Sequence, residues 1–287
     1  ASYNGTQGVA FDTMGSVVNA GSKWSNTGQL MNYLRGDVSL EGTVFRSRKK
    51  LKTDTELLAR CGVDAANVSA SAVNLLGAVI NAEPTGDRTT GMVYVASGEG
   101  MLHAFDAETG VEHWAYVPGA VLPDIEKTAS RSYTFKTQLD GTPVVRNIGS
   151  KRLLVAGMGV AGRGYYALDV TSPKGLNVGG LASKVKWEFP AAGDTTMAAK
   201  VGQTVGRPLI VKLPSDQYAV VVTSGYNNND GKGYVWLLNP ETGAVLSERE
   251  YKTTEGALAA EAGLAHLSAF AESNGSVRYV YGGDLLG

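Results

Sequence analysis

A glycine cluster, three histidines and a single cysteine are the residues of this 287-residue chain whose types and spacing bear most directly on chemistry. Gly157-x-Gly159-x-x-Gly162 has the spelling of a dinucleotide loop, which works only where its last glycine opens a helix aimed at a pyrophosphate. Here Gly164 is followed by Tyr165-Tyr166-Ala167-Leu168, an aromatic and apolar run that reads as a strand. Asp169 and Glu188, the next acids, fall at the wrong distance to bind a ribose. The glycines are therefore expected to form a hairpin loop. His103, His113 and His266 show no HExxH spacing, and no Gly-x-Ser-x-Gly elbow exists. His103 and His113 are expected on strand faces, and no residue is assigned a catalytic role.

Composition narrows the class. A net charge of −1 supplies no field for nucleic acid. Thirty-seven glycines are nearly twice the usual share of about 7%, and with nine prolines they point to many tight turns in an all-β protein. Cys61 alone allows no internal disulfide, which fits the periplasm, the cell exterior or the cytosol. No secretory leader pattern opens the chain, so it reads as a mature chain, an excised domain or a cytosolic protein. The longest uncharged stretch, Ala65 to Ala82, carries Asn67, Ser69, Ser71, Asn74 and Asn81 and is too polar to span a membrane.

The patterning divides the chain into two regions. Residues 1–84 read as a loop and helix lead-in packing on the strand-rich remainder of the chain. Leu30, Met31, Tyr33 and Leu34 share a helical face that Gly36 stops, and Thr53-x-x-Glu56 is a capping box for a short helix ended by Gly62. Arg46, Arg48, Lys49, Lys50 and Lys52 form a basic cluster, either a solvated surface or a contact for an anionic partner. Residues 85–287 repeat a strand, turn, strand unit: Met92 to Asp106, Leu153 to Asp169, Ala219 to Asn239, and a last one from Arg278. Anchored on Asp106, Asp169 and Asn239, the units step by roughly 60 to 70 residues, longer than the usual propeller blade of about 40 to 50. The excess must sit in connecting loops. Blades of this kind bury both faces only by stacking radially. The fold class is all-β, a β-propeller of about three blades and a partial fourth.

Ala104-x-Asp106-x-x-Thr109-Gly110-x-x-x-Trp114 resembles the docking motif of quinoprotein-type propellers. The resemblance implies that Trp114 stacks on a neighbouring blade while Asp106, Thr109 and Gly110 close a turn. A second copy keeps Asn239, Thr242 and Gly243, with Leu237 and Ser247 in place of the alanine and tryptophan. The ordered segments "YLRGDVS", "NLLGAVINAEP", "MVYVASGEGMLHAFDAETG", "DGTPVV", "LLVAGMGVAGRGYYALDVTSP", "TSGYNNNDGKG" and "YVYGGDLLG" resemble the C-terminal propeller of the PilY/PilC family of type IV pilus tip-associated adhesin and biogenesis proteins. Two departures are Ala78, where the family usually has an Asp, and Lys151-Arg152 in place of a Trp-Lys pair. In that family "YVYGGDLLG" continues into a further strand, so the propeller is expected to be incomplete here.

The resemblance implies secretion, a place at the cell surface or pilus tip or at the outer membrane of a Gram-negative bacterium, and partnership with minor pilins. It implies control of pilus extension and retraction, and often attachment to host cells. Arg35-Gly36-Asp37 is then an adhesion candidate, since integrins take such an aspartate at a metal ion and the arginine in an acidic groove. The same Gly36 is also a helix stop, and both readings stand. The resemblance implies that calcium is possible in the intact protein, since relatives carry a calcium loop, but the candidate sets here, Phe270, Glu272 and Asn274 or Tyr226, Asn228 and Asp230 with Leu237 at the twelfth place, do not supply the roughly six to eight oxygens, carboxylates among them, that the ion takes. They read as hairpin turns, and no cofactor is assigned. A periplasmic scaffold propeller of the outer-membrane assembly type is the alternative. A quinone-dependent dehydrogenase is disfavoured, because one cysteine cannot form the adjacent-cysteine disulfide common in those enzymes.

Overall fold

The computed structural model describes residues 1–11, 27–48, 76–251 and 263–285. The Thr53 capping box, Cys61, Gly62, Lys49, Lys50, Lys52 and Gly287 lie outside the described residues.

Three antiparallel four-stranded meanders follow one another along the chain. The first contains β3 (Thr85–Asp87), β4 (Met92–Ser97), β5 (Met101–Asp106) and β6 (Glu112–Tyr116). The second contains β7 (Val144–Ile148), β8 (Lys151–Gly157), β9 (Tyr165–Asp169) and β10 (Val185–Phe189). The third contains β11 (Leu209–Lys212), β12 (Tyr218–Thr223), β13 (Gly233–Leu238) and β14 (Val245–Tyr251). A two-stranded sheet, β15 (His266–Ala271) with β16 (Val277–Gly283), comes next. The first strands β3, β7, β11 and β15 lie side by side, as the inner strands of propeller blades do.

Side-chain alternation explains the stacking. Leu154 and Ala156 of β8 join a core with Tyr94, Ala96, Leu102 and Tyr116 of the first sheet. Leu153 and Val155, one residue out of phase, join a second core with Ile210, Val220, Val222 and Trp236 of the third. Successive residues point to opposite faces, so a strand apolar at every position needs a neighbour on both sides.

Backbone hydrogen bonds tie the sheets together at the turns. Gly98 N–H donates to Ala78 O (2.7 Å), and Gln138 N–H donates to Gly98 O (2.9 Å). In the second sheet, Asp140 N–H donates to Met158 O (3.2 Å) and Gly159 N–H to Thr204 O (3.2 Å). In the third, Gly202 N–H donates to Ser224 O and Gly225 N–H to Leu264 O, both at 2.7 Å. Each inner hairpin turn is thus gripped by the segments leading into its own sheet and the next. The Gly157–Gly162 cluster belongs to this ring and forms the β8–β9 hairpin connection. A Cβ on Gly157 would lie 2.5 Å from Thr204 O, and Gly159 has φ +70° with Asp140 against it. Thr204 Oγ1 accepts from Met158 N–H (2.8 Å) and donates to Gly164 O (2.7 Å). The loop is filled by protein.

Short helices occupy the connections and account for the long repeat. They are α2 (Leu122–Ile125) between β6 and β7, α3 (Val178–Ala182) between β9 and β10, and α4 (Thr195–Lys200) before β11. In the lead-in, α1 (Thr27–Leu34) buries Leu30, Met31, Tyr33 and Leu34. Gly36, at φ +107°, ends it by donating to Tyr33 O (2.9 Å). The lead-in also holds a small hairpin, β1 (Ser2–Tyr3) with β2 (Gly8–Val9). Ser2 pairs in parallel with Val117, just past β6. Strands of two residues carry no readable periodicity, which is why loop and helix alone are expected there.

Candidate functional site

Two tryptophans, Trp114 of β6 and Trp187 of β10, join one sheet to the next by reaching the turns that follow β9 and β13. Asp106 Oδ1 accepts from the N–H groups of Glu108 and Thr109 (both 3.0 Å) and from Thr109 Oγ1 (3.1 Å). Gly110, at φ +70°, donates to Asp106 O (2.9 Å) and closes the turn. The Lys174 ammonium, 2.7 Å from Asp106 Oδ2, and these turn N–H groups hold the Asp106 carboxyl far below the usual carboxylate range. Ala104 lies opposite Trp114 in the β5–β6 ladder. Trp114 reaches into the second sheet, where its Nε1–H donates to Pro173 O (2.8 Å). The five motif residues are thus brought together.

The second sheet repeats this arrangement with a tryptophan that the sequence spacing hides. Ala167 lies opposite Trp187, whose Nε1–H donates to Pro240 O of the third sheet (2.9 Å). Gly243, at φ +71°, sits so close that a Cβ would lie 2.7 Å from the Trp187 ring. The signal is Ala167-x-Asp169 with Trp187 downstream, but α3 is inserted between the turn and β10 and breaks the motif's spacing. In the third sheet the equivalent pair is Leu237 opposite Ser247, as the degraded copy suggests.

A second cluster resembles hydrolase machinery. Ser97 Oγ lies 3.2 Å from His103 Nε2, and His103 Nδ1 lies 2.7 Å from Glu112 Oε1. No linear motif announces these three, because they come from β4, β5 and β6. Ser97 is 0% exposed, and the trio links three adjacent strands of the first sheet. His113 instead faces Asp106 at 3.7 Å, and His266 is exposed on β15.

Glu188 is a half-buried carboxylate between the first two sheets. Tyr116 Oη donates to it at 2.5 Å and Gly119 N–H at 2.6 Å. Burial outweighs these donors and pushes its pKa up to about 6. Glu188 joins the first two sheets beneath the lead-in, where Tyr3 and Gly119 close over it.

Arg35 and Asp37 are exposed on either side of the helix stop at Gly36. Asp37 Oδ1 accepts from Ser39 N–H (2.8 Å), which holds its carboxyl below the usual range, and Asp37 O accepts from Arg48 (3.1 Å). The described part of the basic cluster is pinned within the protein. Arg46 pairs with Glu99 (2.8 Å), and Arg48 pairs with Glu41 (2.5 Å) over the Tyr33 ring. In the two candidate calcium loops the polar groups serve the turns. Ser276 N–H donates to Asn274 Oδ1 (2.9 Å), Glu272 pairs with Arg278 (2.7 Å), and Asp230 accepts from Tyr234 Oη (2.5 Å). Among the described residues no three His, Cys, Asp or Glu side chains converge as metal ligands. Among them, too, no helix is long and apolar enough to cross a membrane.

Known proteins share this architecture. The family model of the PilY1 β-propeller domain matches residues 68–287. A type IV pilus biogenesis factor PilY1 homolog of Xylella fastidiosa is 32% identical over 284 residues, covering 90% of this chain and 19% of that protein. The type IV pilus biogenesis factor PilY1 of Pseudomonas aeruginosa strain UCBPP-PA14 is 30% identical over 275 residues, covering 90% of this chain and 22% of that one. The chain thus spans about a fifth of the length of these relatives. The crystal structure of the P. aeruginosa PilY1 C-terminal domain superposes with a TM-score of 0.52 at 28% identity, covering 68% of this chain and 36% of that one. With stacked four-stranded sheets and a family match over most of its length, the chain belongs to the PilY1 β-propeller family of type IV pilus proteins.

Proposed function

We propose that this chain is the propeller part of a non-enzymatic component of the type IV pilus machinery, acting at the pilus tip in assembly, in control of extension and retraction, and in adhesion. The observation that carries the reading is the family match over residues 68–287, with relatives named as pilus biogenesis factors. The burial of Ser97 in the hydrolase-like cluster supports a role without chemistry. The protein works outside the cytoplasm, secreted to the cell surface or outer membrane, with minor pilins at the pilus tip as its partners. Asp106, Thr109, Gly110, Ala104 and Trp114 serve as a blade-docking set, and Trp187 serves the next interface in the same way. In this account they keep the propeller rigid enough to present a surface. The test is surface piliation in a piliated bacterium whose parent gene is deleted. Loss of pili on deletion, restored by the parent carrying Ser97→Ala, supports the reading, while unchanged piliation on deletion contradicts it.

Arg35-Gly36-Asp37 is the candidate adhesive contact, favoured by the exposure of both charged side chains beside a helix end. Asp37→Glu keeps the charge and lengthens the arm, so it spares folding and spoils a metal-directed fit. Loss of integrin-dependent cell attachment in Asp37→Glu is the expected result. Attachment equal to wild type reduces the tripeptide to a helix stop.

A further inference from the structure

The chain contains three Asn-x-Ser/Thr triplets, Asn4-Gly5-Thr6, Asn67-Val68-Ser69 and Asn274-Gly275-Ser276. Such a triplet accepts an N-linked glycan where the asparagine is exposed and the hydroxyl two residues on can be engaged. Bacterial oligosaccharyltransferases also read an acid two residues ahead of the asparagine. Glu272 supplies that acid for Asn274, whereas Ser2 and Ala65 stand at the other two places. Asn67 lies outside the described residues. The structure separates the remaining two. Asn4 Oδ1 accepts from Thr6 N–H (3.1 Å), Thr6 Oγ1 (3.0 Å) and Gln7 N–H (3.0 Å), which engages the hydroxyl the triplet needs. A Cβ on Gly5 would lie 2.7 Å from Ala192 Cβ, so that turn is packed against the chain. Asn274 is exposed at the tip of the β15–β16 turn. Its Oδ1 accepts from Ser276 N–H (2.9 Å), while its Nδ2 makes no hydrogen bond among the described residues. Gly275, at φ +79°, has nothing within 4 Å of the place a Cβ would take.

We propose that Asn274 is an acceptor for an N-linked glycan, transferred by a bacterial oligosaccharyltransferase from a polyprenyl-diphosphate-linked oligosaccharide. Asn274 Nδ2 bonds to the anomeric carbon of the first sugar, and the bond from that carbon to the diphosphate oxygen breaks. The lipid diphosphate leaves, and one Nδ2 proton passes to solvent. Glu272 is the residue that the enzyme reads. Its Oε1 pairs with Arg278 Nε (2.7 Å), and both side chains are about half exposed, so a cation of the enzyme can take the place of Arg278 at little cost. Ser276 is 1% exposed, and its Oγ has no hydrogen-bond partner. The turn, closed by Glu272 N–H to Ser276 O and Gly275 N–H to Glu272 O (both 2.8 Å), must therefore open before the hydroxyl can be engaged. That opening frees the hydroxyl without breaking a hydrogen bond of its own. Once attached, the glycan projects beside a polar groove of about 500 Å³ lined by Arg146, Asn147, Lys212 and Tyr218, which leaves room for its first sugar.

The test incubates the whole folded chain with a purified bacterial oligosaccharyltransferase and an undecaprenyl-diphosphate-linked oligosaccharide, and reads intact mass and the modified peptide. A gain of one glycan on Asn274 is expected, lost in Asn274→Gln and kept in Asn4→Gln. Glu272→Gln should lower the glycosylated fraction by roughly tenfold or more, because the enzyme then meets an amide where it reads a charge, and Glu272→Asp should retain it. Should Asn274→Gln fail to fold, Ser276→Ala, which removes a hydroxyl without a partner, should abolish the modification with the fold intact. The proposal is overturned by an unchanged mass while a carrier protein with the same motif is modified in the same mixture. It is equally overturned by a glycan on Asn4 or Asn67 instead, or by Glu272→Gln modified as fully as wild type. With purified components the result does not depend on the pilus reading, which normal piliation on gene deletion would sink by itself.

Discussion

The interface between the second and third sheets differs from that between the third sheet and the β15–β16 hairpin. At the former, Trp187, Phe189, Tyr165, Tyr234 and Trp236 pack in one core, and Trp187 hydrogen bonds across to Pro240. At the latter, the buried residues are Val211, Ala219, Val221, Val235, Leu264 and Val277, and Ser247 stands where a tryptophan would be. The outward face of the hairpin leaves Phe270 at 78% and Tyr279 at 68% exposed. The same sheet-on-sheet stacking therefore has a strong and a weak form. A large ring with a polar handle supplies both buried area and a directional bond to the next sheet, whereas aliphatic contacts supply area alone.

The largest effect should come from removing the handle. Trp187→Ala deletes a ring that is 2% exposed and should destabilise the chain by about 3–5 kcal/mol in chemical denaturation. Trp114→Ala, at 7% exposure, should fall in the same range and toward its lower end. Ser247→Ala, the equivalent position of the third sheet, should stay within about 0.5 kcal/mol of wild type. Equal losses at Trp187 and Ser247 would break the comparison.

Next comes the surface the ring rests on. Gly243→Ala places a Cβ 2.7 Å from the Trp187 ring at a backbone φ of +71°, and should cost about 1–3 kcal/mol. Combined with Trp187→Ala, most of the steric part of that loss should vanish, leaving mainly the backbone strain. Full additivity in the double mutant would show that the two do not meet.

Glu188 sharpens the contrast by pH. Its carboxyl is raised to about 6 in the folded chain, so the fold favours the protonated form. The linked stability is present below the unfolded value of about 4.3 and is lost as pH rises through 6, by about 2 kcal/mol. Glu188→Gln should flatten the stability profile between these pH values. An unchanged profile would mean that another group titrates there. The smallest effect belongs to Asp37→Glu, at an exposed helix end, which should leave the melting temperature unchanged.

The repeat was legible because β4, β8 and β12 are apolar at nearly every position and are bounded by glycine turns. The Trp114 motif was legible because its turn and strand are contiguous. Trp187 was not, since α3 separates it from Asp169 in sequence while the sheet register restores the pair. The Ser97, His103 and Glu112 cluster was hidden for the related reason that cross-strand partners are set by register, which single-strand patterns do not report. Thr204, which fills the Gly157–Gly162 loop, comes from the segment that enters the third sheet, and only the stacking of the second and third sheets brings it there.

Amide hydrogen exchange resolved by strand tests the central claim, that tryptophan-locked interfaces hold the stack together and the last one is weaker. The account predicts that amides of β8, β9, β12 and β13 open only with global unfolding. Those of β15 and β16 should exchange roughly a hundredfold faster or more, through local opening. Equal protection of the hairpin and the second sheet would contradict it.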